Sequence, residues 1–162
     1  RTVKAAIDVN RDQKTNLFKK ASRRLISFSG LKAAVLGLTF KPGTDDVREA
    51  PSLENVRLLL EQGAQITAYD PVGTKNFKRF YPEGVYGKGT IRYESQIEEA
   101  LAGANVCFIF TEWDEIKSVT PETYKKLMRT PLVYDGRNIY GVKDMADAGV
   151  EYYCVGRGER SS

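Results

Sequence analysis

The sequence predicts an α/β fold: a Rossmann-like doubly wound parallel sheet, preceded by a separate helix. Three features carry that expectation. Apolar runs of strand length alternate with helical segments, the connections between them are short, and the runs are almost uniformly apolar. Alternation with short links implies right-handed crossovers and helices on both faces of a sheet. Strands without a polar alternation are those buried on both faces. At 162 residues, with 41% hydrophobic and 28% charged residues, the chain has the size and composition of one globular domain.

The elements follow in order. In residues 1–25, Val3, Ile7, Asn10, Lys14, Leu17, Phe18, Ala21 and Leu25 recur at three- and four-residue steps, so a helix with one apolar stripe is predicted. Its basic residues decorate the other face, and the stripe is expected to pack on a part of the protein outside this chain. Ser29-Gly30 stops it and sets a boundary between residues 1–29 and an α/β body over 30–157. LKAAVLGLTF is the first strand, followed by a polar loop from Lys41 to Glu49. Pro51 suits a first helical turn, and SLENVRLLLEQGA then places Leu53, Val56, Leu59 and Leu60 on one face before Gly63 ends it. QITAY is the second strand, closed by the turn signal Asp70-Pro71. Residues 72–93 carry Phe77, Phe80, Tyr81, Tyr86 and Tyr93 without a clear period, which supports no more than a short helix and a short strand. SQIEEALAGA is a helix, NVCFIFT the third buried strand, TPETYKKLMR a helix with a Thr-Pro start, and PLVYD the fourth strand. A helix from Tyr140 to Ala148 ends at Gly149, VEYYCV is the last strand, and residues 158–162 close a polar tail expected to be flexible.

Several chemistries are excluded. The sequence has no histidine, which removes Ser-His-Asp and Cys-His triads and imidazole-based zinc sites. Cys107 and Cys154 lack a C-x-x-C spacing and sit in apolar runs, so buried free thiols suited to a reducing cytoplasm are expected. No apolar run approaches 18 residues, so no membrane span is expected. The net charge is +4, and residues 1–24 hold eight Lys/Arg against two Asp. No aromatic residues interleave with those cations as a nucleic-acid stacking platform requires, so a solvated helical face is the expectation. The sequence opens at Arg1 in the middle of a helical pattern, without initiator Met, signal peptide or lipidation motif, and reads as a piece of a longer polypeptide.

Ligands of doubly wound sheets bind beyond the carboxyl ends of the strands. Four segments fall there: Phe40 to Arg48, Asp70 to Val72, Thr111 to Asp114 and Asp135 to Asn138. They are expected to bring Lys41, Arg48 and Arg137 to one edge, where convergent cations near a helix start suit a phosphate or diphosphate. Duller readings stand beside these: Lys41 as a solvated side chain, Arg48 paired with Asp45 or Asp46, Arg137 capping carbonyls. Asp70 takes the place of a ribose-binding acid, but Asp-Pro is also an ordinary turn. Trp113, with Tyr69 and Tyr134, suits either base stacking or packing. The first strand leads only to Gly37 and then Gly43, not G-x-G-x-x-G, so no self-sufficient dinucleotide site is predicted. Adjacent Asp45 and Asp46 lack a third ligand, so no metal site is expected.

The stretch VLGLTFKPGTDDVREAPSLENVRLLLEQGAQITAYDPV, then FTEWDEIK, PLVYDGRNIY and DMADAGVEYYCVGR, closely resembles the C-terminal domain of the UDP-glucose/GDP-mannose dehydrogenase family. The likeness covers about residues 1–157 and is greatest to the bacterial UDP-glucose 6-dehydrogenases of that family; VNRDQK resembles the end of the helix that leads from the central domain. The resemblance implies a domain that covers a UDP-sugar while NAD is held mainly by an N-terminal domain and the cysteine nucleophile comes from the central domain. It further implies contact of Phe40, Lys41 and Arg137 with the sugar nucleotide and of Arg48 with NAD. Neither Cys107 nor Cys154 matches the family nucleophile, whose G-G-x-C-F/L-P motif this sequence does not contain. These 162 residues are therefore expected to bind nucleotide sugar but to have no dehydrogenase activity alone. A homo-oligomer through the central domain is implied when complete. The alternatives are a UDP-N-acetyl-sugar or GDP-mannose enzyme, or a stand-alone nucleotide-binding or interaction module.

Overall fold

Seven strands make one sheet in the computed structural model, which describes residues 14–155. The expected first part of the leading helix and the polar tail from Gly156 lie outside the described residues. The strands are β1 (Lys32–Leu36), β2 (Gln65–Tyr69), β3 (Gly84–Tyr86), β4 (Gly89–Tyr93), β5 (Val106–Ile109), β6 (Leu132–Asp135) and β7 (Glu151–Cys154). They lie in the order β3-β4-β2-β1-β5-β6-β7. All neighbours are parallel except β3, which runs antiparallel to β4 at one edge. The described helices are α1 (Asn16–Arg24), α2 (Pro51–Glu61), α3 (Thr74–Phe77), α4 (Ile97–Leu101), α5 (Asp114–Lys117), α6 (Pro121–Leu127) and α7 (Val142–Asp147).

The doubly wound expectation holds because β1 feeds both faces. Ala33 and Val35 join a core with Leu17 and Ala21 of α1 and Val56 and Leu59 of α2. Ala34 and Leu36 join a second core with Leu101, Ile116, Tyr124 and Met145 from α4 to α7. Side chains alternate between faces along a strand, so a central strand must be apolar throughout. Cys107 and Cys154 are free thiols, both fully buried in the second core. Thr120 starts α6 as expected, its hydroxyl accepting from the Thr123 N–H (3.3 Å), with Pro121 in the first turn.

Two regions differ from expectation. Residues 72–93 hold the expected short helix, α3, but two strands where one was expected: they form a β3–β4 hairpin, and β4 extends the parallel sheet. The aromatics there form their own cluster: Phe77 lies 5.8 Å from Tyr81 and 6.3 Å from Tyr93, and Tyr81 lies 5.8 Å from Tyr86. The second difference is the leading helix. Its described part packs on this chain's own sheet, with Leu17 and Ala21 buried. Asn55 of α2 fixes its register, accepting from the Phe18 N–H (3.1 Å) and donating to the Lys14 carbonyl (2.7 Å). Lys20 Nζ donates to the Cys154 carbonyl (2.8 Å), and Arg24 grips Glu151 with two bonds of 2.7 and 3.0 Å.

Candidate functional site

Strand order reverses between β1 and β5, and the loops leaving their carboxyl ends diverge there. That rim is tied together before any ligand is considered. Asp70, buried after β2, accepts from Leu38 N (2.7 Å), Thr39 N (3.2 Å), Val72 N (2.9 Å) and Gly73 N (2.7 Å). The indole N–H of Trp113 also reaches Asp70 (3.1 Å) and Thr39 Oγ1 (3.1 Å). Thr111 Oγ1 donates to the Thr39 carbonyl (2.6 Å). The Asp70 carboxylate is thus consumed by the protein; it is a turn-forming acid, and Trp113 is a rim brace. Asp135, fully buried after β6, does the same on the other side. It accepts from Arg137 N (2.7 Å), Asn138 N (2.9 Å), Ile139 N (2.8 Å) and the Tyr152 hydroxyl (2.6 Å).

Gly37 tests the fit of a dinucleotide. It has φ +90°, and a Cβ there would lie 2.5 Å from the Thr111 nitrogen. Thr111 closes in on Gly37, and Thr39, not a second glycine, stands two residues on, where a dinucleotide turn needs the backbone to approach the pyrophosphate. The β1 turn therefore does not fit a dinucleotide.

The four sequence-predicted residues all stand at the carboxyl edge, but not as one cluster. Arg137 leaves the Asp135 turn and makes a two-pronged ion pair with Glu112 (3.0 and 2.9 Å). Burial pushes the Glu112 carboxyl up, and the Arg137 guanidinium together with a backbone N–H and the Lys117 charge more than offsets it, leaving the group below its ordinary range. Arg137 opens onto a cavity of about 550 Å³ that Lys14, Asn16 and Phe110 also line. Arg48 forks onto Asp46 (3.1 and 3.2 Å), the nearer of its two expected partners, and lines a different cavity of about 520 Å³ with Arg79 and Phe80. Phe40 and Lys41 lie exposed on the loop after β1, where the Phe40 N–H donates to the Asp46 carbonyl (2.9 Å).

The sequence reading missed Glu112 and Lys14. Glu112 is 25 residues from Arg137 and nothing local links them. Lys14 did leave a signal: it is a cation set in an apolar stripe, which marks a polar task on the buried face. Among the described residues no three His, Cys, Asp or Glu side chains gather as a metal site. Burial pushes the Cys107 thiol well up, so it is not an available thiolate.

The family model described as the UDP binding domain of the UDP-glucose/GDP-mannose dehydrogenase family matches residues 34–142. The chain is 43% identical to the UDP-glucose 6-dehydrogenase YwqF of Bacillus subtilis, over 96% of this chain and 34% of that protein. It is 36% identical to a UDP-glucose 6-dehydrogenase of Rhizobium meliloti, over 97% of this chain and 35% of that protein. The chain thus spans about a third of the length of these relatives. Among solved structures, a UDP-glucose dehydrogenase from Pyrobaculum islandicum superimposes with a TM-score of 0.73 at 30% identity, over 92% of this chain and 31% of that one. A UDP-D-ManNAc dehydrogenase from Pyrococcus horikoshii gives 0.65 at 32% identity, over 88% and 29%.

Proposed function

The chain belongs to the UDP-glucose/GDP-mannose dehydrogenase family, and from that premise we propose that it serves as the nucleotide-sugar-binding domain of an NAD-dependent UDP-glucose 6-dehydrogenase. In that reading the complete enzyme would oxidise the C6 hydroxyl of UDP-glucose to the carboxylate of UDP-glucuronate, with two NAD+ molecules each accepting one hydride and one water supplying the second carboxylate oxygen. Arg137 binds the diphosphate by exchanging its Glu112 partner for phosphate oxygens. Lys41 adds a point charge and Phe40 covers the sugar nucleotide from the exposed loop. Arg48 reaches NAD held mainly by the N-terminal domain. The enzyme's own N-terminal and central domains are the remaining partners, in a cytoplasmic homo-oligomer. With both its cysteines buried and no dinucleotide turn, this chain alone turns over no UDP-glucose.

One observation carries the reading: the Arg137 fork springs from a turn held by three backbone N–H bonds to Asp135, itself anchored by the Tyr152 hydroxyl, and opens onto the 550 Å³ cavity. A fixed backbone at Arg137 means that binding phosphate costs only the exchange of its guanidinium from Glu112. Calorimetric titration with UDP is the test. Saturable binding, weakened about tenfold or more by Arg137→Ala and less by Lys41→Ala, supports it. Binding that both variants leave unchanged rejects these residues as nucleotide ligands.

A further inference from the structure

The cavity beside Arg137 is built by two separate parts of the chain. Gly136, Arg137 and Asn138 form one wall, and Lys14 with the first residues of α1, Asn16 and Leu17, forms another. Its floor is apolar, from Leu17, Pro51 and Phe110. Gly136 keeps the walls close, since a Cβ there would sit 3.0 Å from Leu17 Cδ1 and 3.2 Å from the Ile109 carbonyl. Two cations, Lys14 and Arg137, line this one space, and among the described residues each is bridged to one solvent-accessible carboxylate: Lys14 to Glu49 at 2.9 Å and Arg137 to Glu112 at 2.9 Å. Such ion pairs are weak enough in water to be exchanged for a dianionic ligand. The amide of Asn138 is consumed by Val155, donating to its carbonyl (2.6 Å) and accepting its N–H (3.0 Å). The amide of Asn16, by contrast, has no hydrogen bond among the described residues.

Resting on the nucleotide-binding reading above, we propose that Lys14 and Asn16 are ligands of the same nucleoside diphosphate: Lys14 opposes Arg137 across the diphosphate, and the Asn16 amide bonds the nucleoside, seated on the Leu17, Pro51 and Phe110 floor. Lys14 and the start of α1 are then part of the binding site and not only a connection. Their position is set by Asn55, whose side chain holds the Lys14 carbonyl and the Phe18 N–H on either side of Asn16 and Leu17. Two opposed cations and one neutral amide over an apolar floor suit a ligand with a charged end and a flat, hydrogen-bonding end.

The test is calorimetric titration of the full chain with UDP at several salt concentrations. Lys14→Gln is expected to weaken UDP binding about tenfold and to flatten its salt dependence, because one phosphate-facing charge is gone. Lys14→Arg restores most of both. Asn16→Ala weakens binding with the salt dependence unchanged. Glu49→Gln breaks the same ion pair but keeps the ammonium, and it leaves UDP affinity at or above that of the parent. If Glu49→Gln weakens binding as much as Lys14→Gln, Lys14 acts only through its bridge and the assignment falls. If Arg137→Ala loses UDP while Lys14→Gln and Asn16→Ala do not, the assignment falls and the nucleotide-binding reading stands. If the parent chain shows no UDP binding at millimolar concentration, both fall.

Discussion

Glu151 sits where α1 meets β7, accepting two bonds from Arg24 and one from the Tyr153 hydroxyl. The Arg24 guanidinium holds its carboxyl below the ordinary range, against a smaller push upward from burial. A carboxyl lowered by folding stabilises the fold above its unfolded pKa of about 4.3 and loses that contribution as pH falls through the lowered value. The pair is half-exposed, so the contribution is below about 1 kcal/mol and shrinks with salt. Glu151→Gln is therefore expected to be less stable than the parent at pH 7 and to converge with it near pH 3, read from urea midpoints at both pH values. A gap that persists at pH 3 would assign the loss to packing instead. Single residues of the candidate site were legible to the extent that their role is local. Arg48 and Asp46 are two apart and their pairing is visible in the sequence, whereas Arg137 and Glu112 meet only because β5 and β6 are neighbours. Asp70 shows the limit from the other side. Its position after β2 suits a ribose acid, and only the folded chain shows its carboxylate filled by backbone N–H groups.

Elements were legible where a single periodicity ruled. β1, β5 and β6 are short runs that face both cores, so their composition alone marks them. The β3–β4 hairpin hid because its strands are short, start at glycines, and alternate only weakly. Gly89 is needed for a reason no pattern reveals: a Cβ there would lie 2.5 Å from the Leu60 carbonyl of α2. α1 was legible as a helix but not as a part of this core, because a stripe does not name its partner. Asn55 does: it is fully buried and bonds α1 and α2 together. Asn55→Ala leaves the Phe18 N–H and the Lys14 carbonyl without that partner, at a cost of about 2 kcal/mol. Hydrogen exchange is expected to show α1 amides losing protection while α2 keeps its own. Equal loss in both helices, or no loss in α1, would contradict a clamp that acts on α1.

Across the molecule the carboxyl rim is one braced unit, and β1 and β5 are its centre. Gly37 ends β1 with φ +90° and its N–H on the Tyr69 carbonyl (2.8 Å), so it joins β1, β2 and β5 at one point. A methyl group at Gly37 meets backbone, the Thr111 nitrogen at 2.5 Å, and cannot be relieved by a rotamer change. Gly43 has nearly the same φ, +84°, but nothing within 4 Å of a Cβ. The two glycines separate conformational strain from close approach. Gly43→Ala carries only the left-handed strain, about 1 kcal/mol. Gly37→Ala carries that strain and forces the two central strands apart, which places it among the rare losses above about 4 kcal/mol. Trp113, the chain's single tryptophan, hangs from Thr39 and Asp70 on the same rim and reports the event. Urea unfolding followed by its emission is expected to show Gly43→Ala near the parent and Gly37→Ala unfolded or nearly so without denaturant. Thr111→Ala is not expected to rescue Gly37→Ala, because the nearest obstacle is the Thr111 nitrogen and not its side chain. A rescue would mean that the rim yields at side chains, and that the switch point is softer than a backbone-to-backbone contact allows.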